Sequence, residues 1–127
     1  MTQMQELNNL LKKAGEEMPG VIVAGVVGSD GIVLAEYTTN PAFKTEVCGA
    51  QFSMVMKLGD KMTTQLGDEL MDNLVTTDDA YLLTTYLGDG SFYLGIAAAK
   101  EYATLGNIRL VAREYKQEIW DAIPQRK

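Results

Sequence analysis

The chain has 127 residues, a length typical of one domain, and 46% of them are hydrophobic while 22% are charged, as in ordinary globular proteins. Its net charge of −6 disfavours nucleic-acid binding, because proteins that bind nucleic acids usually carry a basic face. Histidine is absent, which excludes the usual serine and cysteine catalytic triads and most zinc sites. We therefore predict one domain over residues 1–127, with no cofactor, no metal and no nucleic-acid partner.

The single cysteine, Cys48, cannot form an intramolecular disulfide, which favours a reducing compartment. No apolar run approaches the length that a bilayer-spanning helix needs. Residues 1–11 are amphipathic and polar, unlike a secretory signal. These features predict a cytoplasmic protein without a transmembrane segment.

Residues 2–18 are predicted to form the first helix. Thr2 can cap it, with Gln5 completing a capping box, and Pro19-Gly20 ends it. Apolar residues recur every third or fourth position and form one stripe that suits a core: Met4, Leu7, Leu11, Ala14 and Met18.

Residues 21–37 are predicted to form a β-hairpin whose turn is Ser29-Asp30-Gly31. The first strand is apolar on both faces, so the sheet must be covered by helices on both sides. We expect Val21, Val23 and Val27 to point to one face, and Ile22, Ala24 and Val26 to point to the other.

The middle helix is predicted to begin near Asn40-Pro41, as a cap followed by a first-turn proline, and to run to about Leu66, with Gly67 at its end. Its apolar arc is about twice as wide as that of an ordinary surface helix. One stripe suits a core: Val47, Ala50, Met54 and Leu58. A second, methionine-containing flank lies beside it: Cys48, Phe52, Val55, Met56, Gly59 and Met62.

Three strands are predicted over residues 69–76, 80–87 and 91–99, separated by the turns Thr77-Asp78-Asp79 and Gly88-Asp89-Gly90. Thr104 is expected to cap the last helix. Its core stripe comprises Leu105, Ile108, Ala112, Tyr115, Ile119 and Ala122. The element order is α-β-β-α-β-β-β-α, which predicts an α+β fold with a mostly antiparallel five-stranded sheet covered by helices on both faces.

Several short motifs occur in a recognisable order: Gly28-Ser29-Asp30-Gly31, then Tyr86-Leu87-Gly88-Asp89 before Phe92-Tyr93-Leu94, then Ala103-Thr104-Leu105-Gly106-Asn107-Ile108-Arg109. Together they resemble the Roadblock family (dynein light chain Roadblock type), in its bacterial and archaeal form, over residues 3–122. The resemblance implies a dimer in which the third strand pairs with its symmetry mate and the middle helices pack across the two-fold axis. It also implies a small Ras-like GTPase as partner, whose GTP hydrolysis some members stimulate.

On this interpretation, the middle helix and the third strand supply the dimer or partner interface. The predicted interface residues are Cys48, Phe52, Val55, Met56, Gly59, Met62, Met71 and Leu74. Methionine suits such a surface because its side chain is adaptable. Replacing Val55 and Met56 with Asp is expected to give a monomer.

The stretch between Met62 and Ala99 contains six carboxylates and no Lys or Arg. If the third strand pairs with itself, two copies of Asp72 come close and repel each other. Three explanations stay open at this point: the carboxylates are solvated turns, the edge is blocked against pairing, or a basic partner lies there.

No nucleotide-binding glycine motif occurs, so the chain is not expected to bind GTP itself. Its arginines, Arg109, Arg113 and Arg126, lie in the last helix or the tail, away from the expected partner face. We therefore predict a non-enzymatic regulator or scaffold that acts on a GTPase by repositioning its switch segments, without inserting an arginine. Replacing Arg109 and Arg113 with Ala should leave stimulated hydrolysis intact.

Three other functions are considered. The first is a structural subunit of a motor or membrane-associated scaffold with no nucleotide-dependent partner. The second is a profilin-like actin binder, suggested by residues 28–44 but disfavoured by the few aromatic residues in the terminal helices. The least favoured is a carboxylate-based enzyme, because no pair of acids is placed in an evident cleft.

Overall fold

The computed structural model describes residues 2–124, in which three helices and five strands alternate in the predicted order. The elements are α1 (Gln3–Glu16), β1 (Val21–Gly28), β2 (Val33–Thr38), α2 (Thr45–Gln65), β3 (Asp72–Thr76), β4 (Ala80–Leu87), β5 (Phe92–Ala99) and α3 (Leu105–Ala122). The predicted fold class is therefore confirmed. A single domain over residues 1–127 stays a prediction.

The five strands form one sheet in the order β2-β1-β5-β4-β3, and every neighbouring pair is antiparallel. β2 and β3 are the two edge strands. α1 and α3 pack against each other on one face of the sheet, and α2 crosses the other face over β1 to β4. Both faces of β1 are thus covered, as its apolar sequence requires.

The face under α1 and α3, called here the closed face, holds the larger core. Leu7 and Leu11 of α1 and Ile108 and Ile119 of α3 are fully buried there. Both helices begin as predicted: Thr2 and Gln5 form a capping box, and the Thr104 hydroxyl accepts a hydrogen bond from the backbone N–H of Asn107. Amphipathic periodicity and capping therefore placed both terminal helices correctly.

One face assignment in β1 is wrong. Val21 joins the closed-face core with Ala24 and Val26, whereas we expected it beside Val23 and Val27. The pairing of β1 with β5 is irregular between Val21 and Val23. Such a bulge adds a residue to one strand and reverses the direction of the side chains before it.

The middle helix begins later than predicted. The side chain of Asn40 accepts a hydrogen bond from the backbone N–H of Ala42 and forms a local turn, and α2 starts at Thr45. An Asn-Pro pair favours turns as well as helix caps, so the sequence signal was ambiguous. Gly67 follows the end of α2 with φ of 74°, as expected for a glycine that terminates a helix.

β3 is also shorter than predicted. It starts at Asp72, whereas we expected residue 69. Among the described residues, no helix is long and apolar enough to cross a membrane.

Candidate functional site: the outer face of α2 and the edge of β3

The underside of α2 packs tightly on the sheet because small residues let the helix approach. A Cβ atom at Gly49 would collide with the carbonyl oxygen of Gly31. The hydroxyl of Ser53 donates a hydrogen bond of 2.7 Å to the carbonyl oxygen of Ser29. Phe52 lies against Gly95 of β5, where an added Cβ would meet its ring at 3.4 Å. These contacts fix which side of α2 faces its own sheet.

The opposite side of α2 is apolar and exposed. Val47 is 60% exposed, Met54 60%, Leu58 56% and Met62 68%. We call this surface the outer α2 face; its members are Val47, Ala50, Met54, Leu58 and Met62. The expectation that the stripe from Val47 to Leu58 packs into the subunit core is therefore wrong.

The predicted interface residues fall into two groups. Phe52 is 5% exposed, Met56 is 0% exposed, and Gly59 is also buried, so these three residues lie beneath α2 and present no side chain to another molecule. Leu74 is partly buried and packs on the closed-face core.

The other predicted interface residues are accessible. Met62 and Met71 are exposed, and Cys48 and Val55 are half-buried. The error has a physical cause: a helix with a wide apolar arc does not show by periodicity alone which part of that arc faces the sheet. The small residues Gly49, Ser53 and Gly59 were the signal that could have shown it, because a helix approaches a sheet most closely where its side chains are small.

β3 borders the same surface and has a free edge. Among the described residues it pairs only with β4. The side-chain amide of Asn73 donates a hydrogen bond of 3.3 Å to the carbonyl oxygen of Val55, which ties β3 to α2. Val75 is two residues along the strand, therefore on the same face as Asn73, and is 42% exposed. The outer α2 face and this edge thus lie side by side.

Asp72, at the start of β3, is held by a cation of its own chain. Arg109 of α3 binds it in a two-pronged ion pair, with Nε and Nη2 each 3.1 Å from a carboxylate oxygen. Of the six carboxylates in the acidic stretch, Asp72 is thus paired within its own chain, while the three explanations for the stretch as a whole stay predictions. The charge of Asp72 is therefore compensated before any pairing of the β3 edge.

An acidic residue of α2 affects a tyrosine on β4. The pKa of Tyr86 on β4 is raised, mainly because the hydroxyl is partly removed from water and also because Asp60 of α2 is nearby. Within residues 2–124, no group of three or more Cys, Asp and Glu side chains is arranged to hold a metal ion. The arrangement offers apolar area and a strand edge, which are the means of association between proteins.

The sequence of residues 7–98 matches the family model described as the Roadblock/LC7 domain. The chain belongs to this family. The Roadblock resemblance drawn from the motifs is thereby confirmed. No curated protein sequence matches the chain at a significant level.

Solved structures of bacterial Roadblock-type proteins share the fold of this Roadblock/LC7 chain. The gliding protein MglB from Thermus thermophilus is 15% identical with a TM-score of 0.85, over 96% of this chain and 91% of that chain. Myxococcus xanthus MglB is 14% identical with a TM-score of 0.80, over 91% and 92%. A Roadblock/LC7 domain from Streptomyces avermitilis is 18% identical with a TM-score of 0.73, over 92% and 93%. At these identities the likeness concerns the fold.

Proposed function

We propose that this Roadblock/LC7 protein forms a homodimer through the outer α2 face and the edge of β3, and that the dimer regulates a small Ras-like GTPase. The observation that carries the proposal is the row of exposed Val, Met and Leu side chains along one side of a well-packed helix. Contiguous apolar surface of this kind marks a site of protein association. Family membership supports the GTPase as partner, because the Roadblock resemblance implies one.

The dimer uses two features that lie next to each other. The outer α2 faces of two copies pack together and remove their apolar side chains from water. The free edges of the two β3 strands pair and satisfy their unpaired backbone groups. Met62, Val55 and Met71 keep the interface role proposed from the sequence, and Val47, Met54 and Leu58 join them. Phe52, Met56 and Gly59 support the surface from beneath, and Leu74 anchors β3 on the closed face.

Light scattering tests the dimer. One chain has a mass of 13.9 kDa, and we expect the wild type at twice that value. A variant with Met54→Asp and Leu58→Asp should have the mass of one chain, because two carboxylates cannot be buried unpaired between helices. Tyr102→Asp with Leu110→Asp is the matched control, since those apolar residues are 66% and 51% exposed outside this surface.

A doubled mass for the Met54 and Leu58 variant would contradict the interface. The pair Val55 and Met56, chosen from the sequence, is unsuitable for this test, because Met56 is fully buried in the subunit and its replacement by Asp tests folding.

The proposed regulation does not use an arginine inserted into the GTPase. Arg109 and Arg113 belong to α3, on the face of the sheet opposite to α2, and Arg109 is bound to Asp72. Arg126 lies outside the described residues. The dimer is therefore proposed to act by holding the switch segments of the GTPase, which rearrange between nucleotide states.

Binding to small Ras-like GTPases loaded with a GTP analogue or with GDP tests this regulation. Preference for one nucleotide state supports the proposal. Equal binding of both states favours the alternative, a structural subunit of a motor or scaffold. In a partner that hydrolyses GTP faster with the protein, Arg109→Ala and Arg113→Ala should leave that stimulation intact; its loss with binding preserved would show a direct arginine contribution.

The cytoplasmic location stays a prediction from the sequence, to which the single cysteine, Cys48, contributes.

A further inference from the structure

A cleft of about 570 Å³ lies on the closed-face side of the sheet. It is bordered by α3, by the start of β3 and by the last residues of β4. We call it the α3 cleft. Arg109, Arg113 and Lys116 line one wall, and Leu70, Met71 and Tyr86 line the other side. It is separate from the outer α2 face, and residues of the closed-face core form its base.

The cations of the α3 cleft are concentrated on one side of one helix. Positions 109, 113 and 116 are four and three residues apart, so their side chains share a face of α3. Arg109 and Arg113 are the two arginines within residues 2–124, and both line this cleft in a chain with a net charge of −6. Arg109 already binds a carboxylate, that of Asp72. Neither Arg113 nor Lys116 forms a salt bridge with a carboxylate in the part of the chain that the structure describes.

The rest of the cleft suits an extended apolar segment. Leu83 and Ala112 are buried at its base, and Met71 is 76% exposed at its rim. β4 continues to Leu87, two residues beyond the last pair with β3 at Thr85. The segment before β3 lies beside this end of β4, because the hydroxyl of Thr85 donates a hydrogen bond of 3.2 Å to the carbonyl oxygen of Met71, so a partner reaches the cleft from its open side.

We propose that the α3 cleft binds a short acidic segment of a partner protein. Carboxylates of the segment bind Arg113 and Lys116 as Asp72 binds Arg109, and an apolar side chain next to them packs on Leu70 and the base of the cleft. Charge complementarity identifies the occupant: the wall is cationic, whereas the molecule as a whole is acidic. An anionic membrane is the less suitable occupant, because the cations line a concave cleft and the remaining surface repels anions.

Fluorescence anisotropy on the full chain tests the proposal. The probes are labelled peptides of about six residues in which Asp and Glu flank one Leu, Met or Phe, with Asn and Gln counterparts as neutral controls. We expect the acidic peptides to bind and the neutral ones to bind at least about tenfold more weakly, which corresponds to about 1.4 kcal/mol. Binding should weaken with added salt, because the contacts are ionic.

The decisive variant carries Arg113→Glu and Lys116→Glu. Its matched control carries Lys12→Glu and Lys13→Glu, which reverses two exposed cations of α1 and changes the net charge equally. Affinity for the acidic peptides should fall at least about tenfold in the first variant and remain in the second. Arg113→Gln with Lys116→Gln, which keeps neutral side chains of similar shape, provides the same comparison if the reversed variant fails to fold.

Three results would overturn the proposal. The first is that no acidic peptide binds the wild type. The second is that the cleft variant and the α1 control lose affinity equally, which would show a general charge effect. The third is that phosphatidylserine vesicles bind in preference to every peptide and depend on the same two residues, which would assign the cleft to a lipid surface. Dimer formation does not enter this test, so its outcome is independent of the proposed GTPase function.

Discussion

The two faces of the sheet differ in how much apolar helix surface they leave exposed to solvent. On the closed face, two helices pack against the strands and against each other, and their apolar stripes are almost entirely buried. On the other face α2 is the one helix among the described residues. Its side towards the sheet buries Phe52 and Met56, and its opposite side exposes the apolar residues Met54 and Leu58. Within the described residues no other element covers the second apolar side of this helix, so that side stays exposed.

The comparison teaches that an apolar stripe has two different roles in this fold. The stripes of α1 and α3 stabilise the subunit. The outer α2 face contributes little to the subunit, because exposed side chains gain nothing from burial until a partner covers them. The predictions below separate these two roles, from the largest expected effect to the smallest.

Met56→Asp and Met54→Asp should differ most, although the two residues are two positions apart on α2. Met56 is fully buried, so an Asp there places an unpaired carboxylate in the core and should cost about 4 kcal/mol or more of subunit stability. Met54 is 60% exposed, so its variant should keep the fold and lose only association. Circular dichroism and urea unfolding distinguish the two. An unfolded Met54 variant would show that the outer α2 face belongs to the subunit core.

On α3, Ile119→Ala and Leu110→Ala provide the same contrast for the closed face. Ile119 is fully buried, and its truncation should lower the free energy of unfolding by about 2–5 kcal/mol through lost burial and a cavity. Leu110 is 51% exposed, and its change should stay within about 0.5 kcal/mol. Urea titrations measure both. Equal losses of stability would mean that Leu110 is packed as tightly as Ile119 in the folded protein.

Two glycines inside helices should respond with opposite signs. Gly106→Ala in α3 meets nothing within 4 Å and should stabilise the protein by about 0.5–1 kcal/mol, since alanine favours helix. Gly49→Ala in α2 pushes against the carbonyl oxygen of Gly31 and should destabilise it by about 1–3 kcal/mol. Thermal unfolding of the pair checks the close approach of α2. A stabilising Gly49→Ala would mean that α2 lies farther from the sheet.

The smallest effect concerns a hydrogen bond that closes the α1–α3 side. The hydroxyl of Tyr115 on α3 donates to the carboxylate of Glu17 after α1, and this bond is the main cause that raises the pKa of Tyr115 to about 12. Because the folded pKa exceeds the ordinary value of 10, the bond stabilises the protein fully below pH 10, and this stabilisation is lost as the pH rises towards 12.

Tyr115→Phe should therefore unfold at lower urea than the wild type below pH 10, and the difference should shrink between pH 10 and 12. Tyr102→Phe, at a tyrosine that is 66% exposed, is the control and should follow the wild type. A stability difference that is constant across this pH range would show that the hydrogen bond donated by the Tyr115 hydroxyl does not stabilise the folded protein.

Much of this fold is local in origin and could be predicted. The capping residues Thr2 and Thr104 begin the two terminal helices, and β4 has the predicted bounds because turn residues flank a run of Leu, Tyr and Thr. The late start of α2 could not be predicted because an Asn-Pro pair suits a local turn as well as a helix cap, and the bulge near Val21 could not because it depends on pairing with the distant strand β5. The Asp72–Arg109 pair joins residues 37 positions apart and was likewise not predictable from spacing.

The sequence by itself determined the order of the elements, the apolar stripes of α1 and α3, and the unusually wide apolar arc of α2, because all three depend on neighbours within one or two turns of chain. The tertiary structure alone decided which side of that arc is buried. Gly49, Ser53 and Gly59 let one side approach the sheet, so Phe52 and Met56 fill the core and Met54 and Leu58 remain exposed. It also decided that Arg109 meets Asp72 and that Arg113 and Lys116 line a cleft, because only folding brings α3 beside the start of β3.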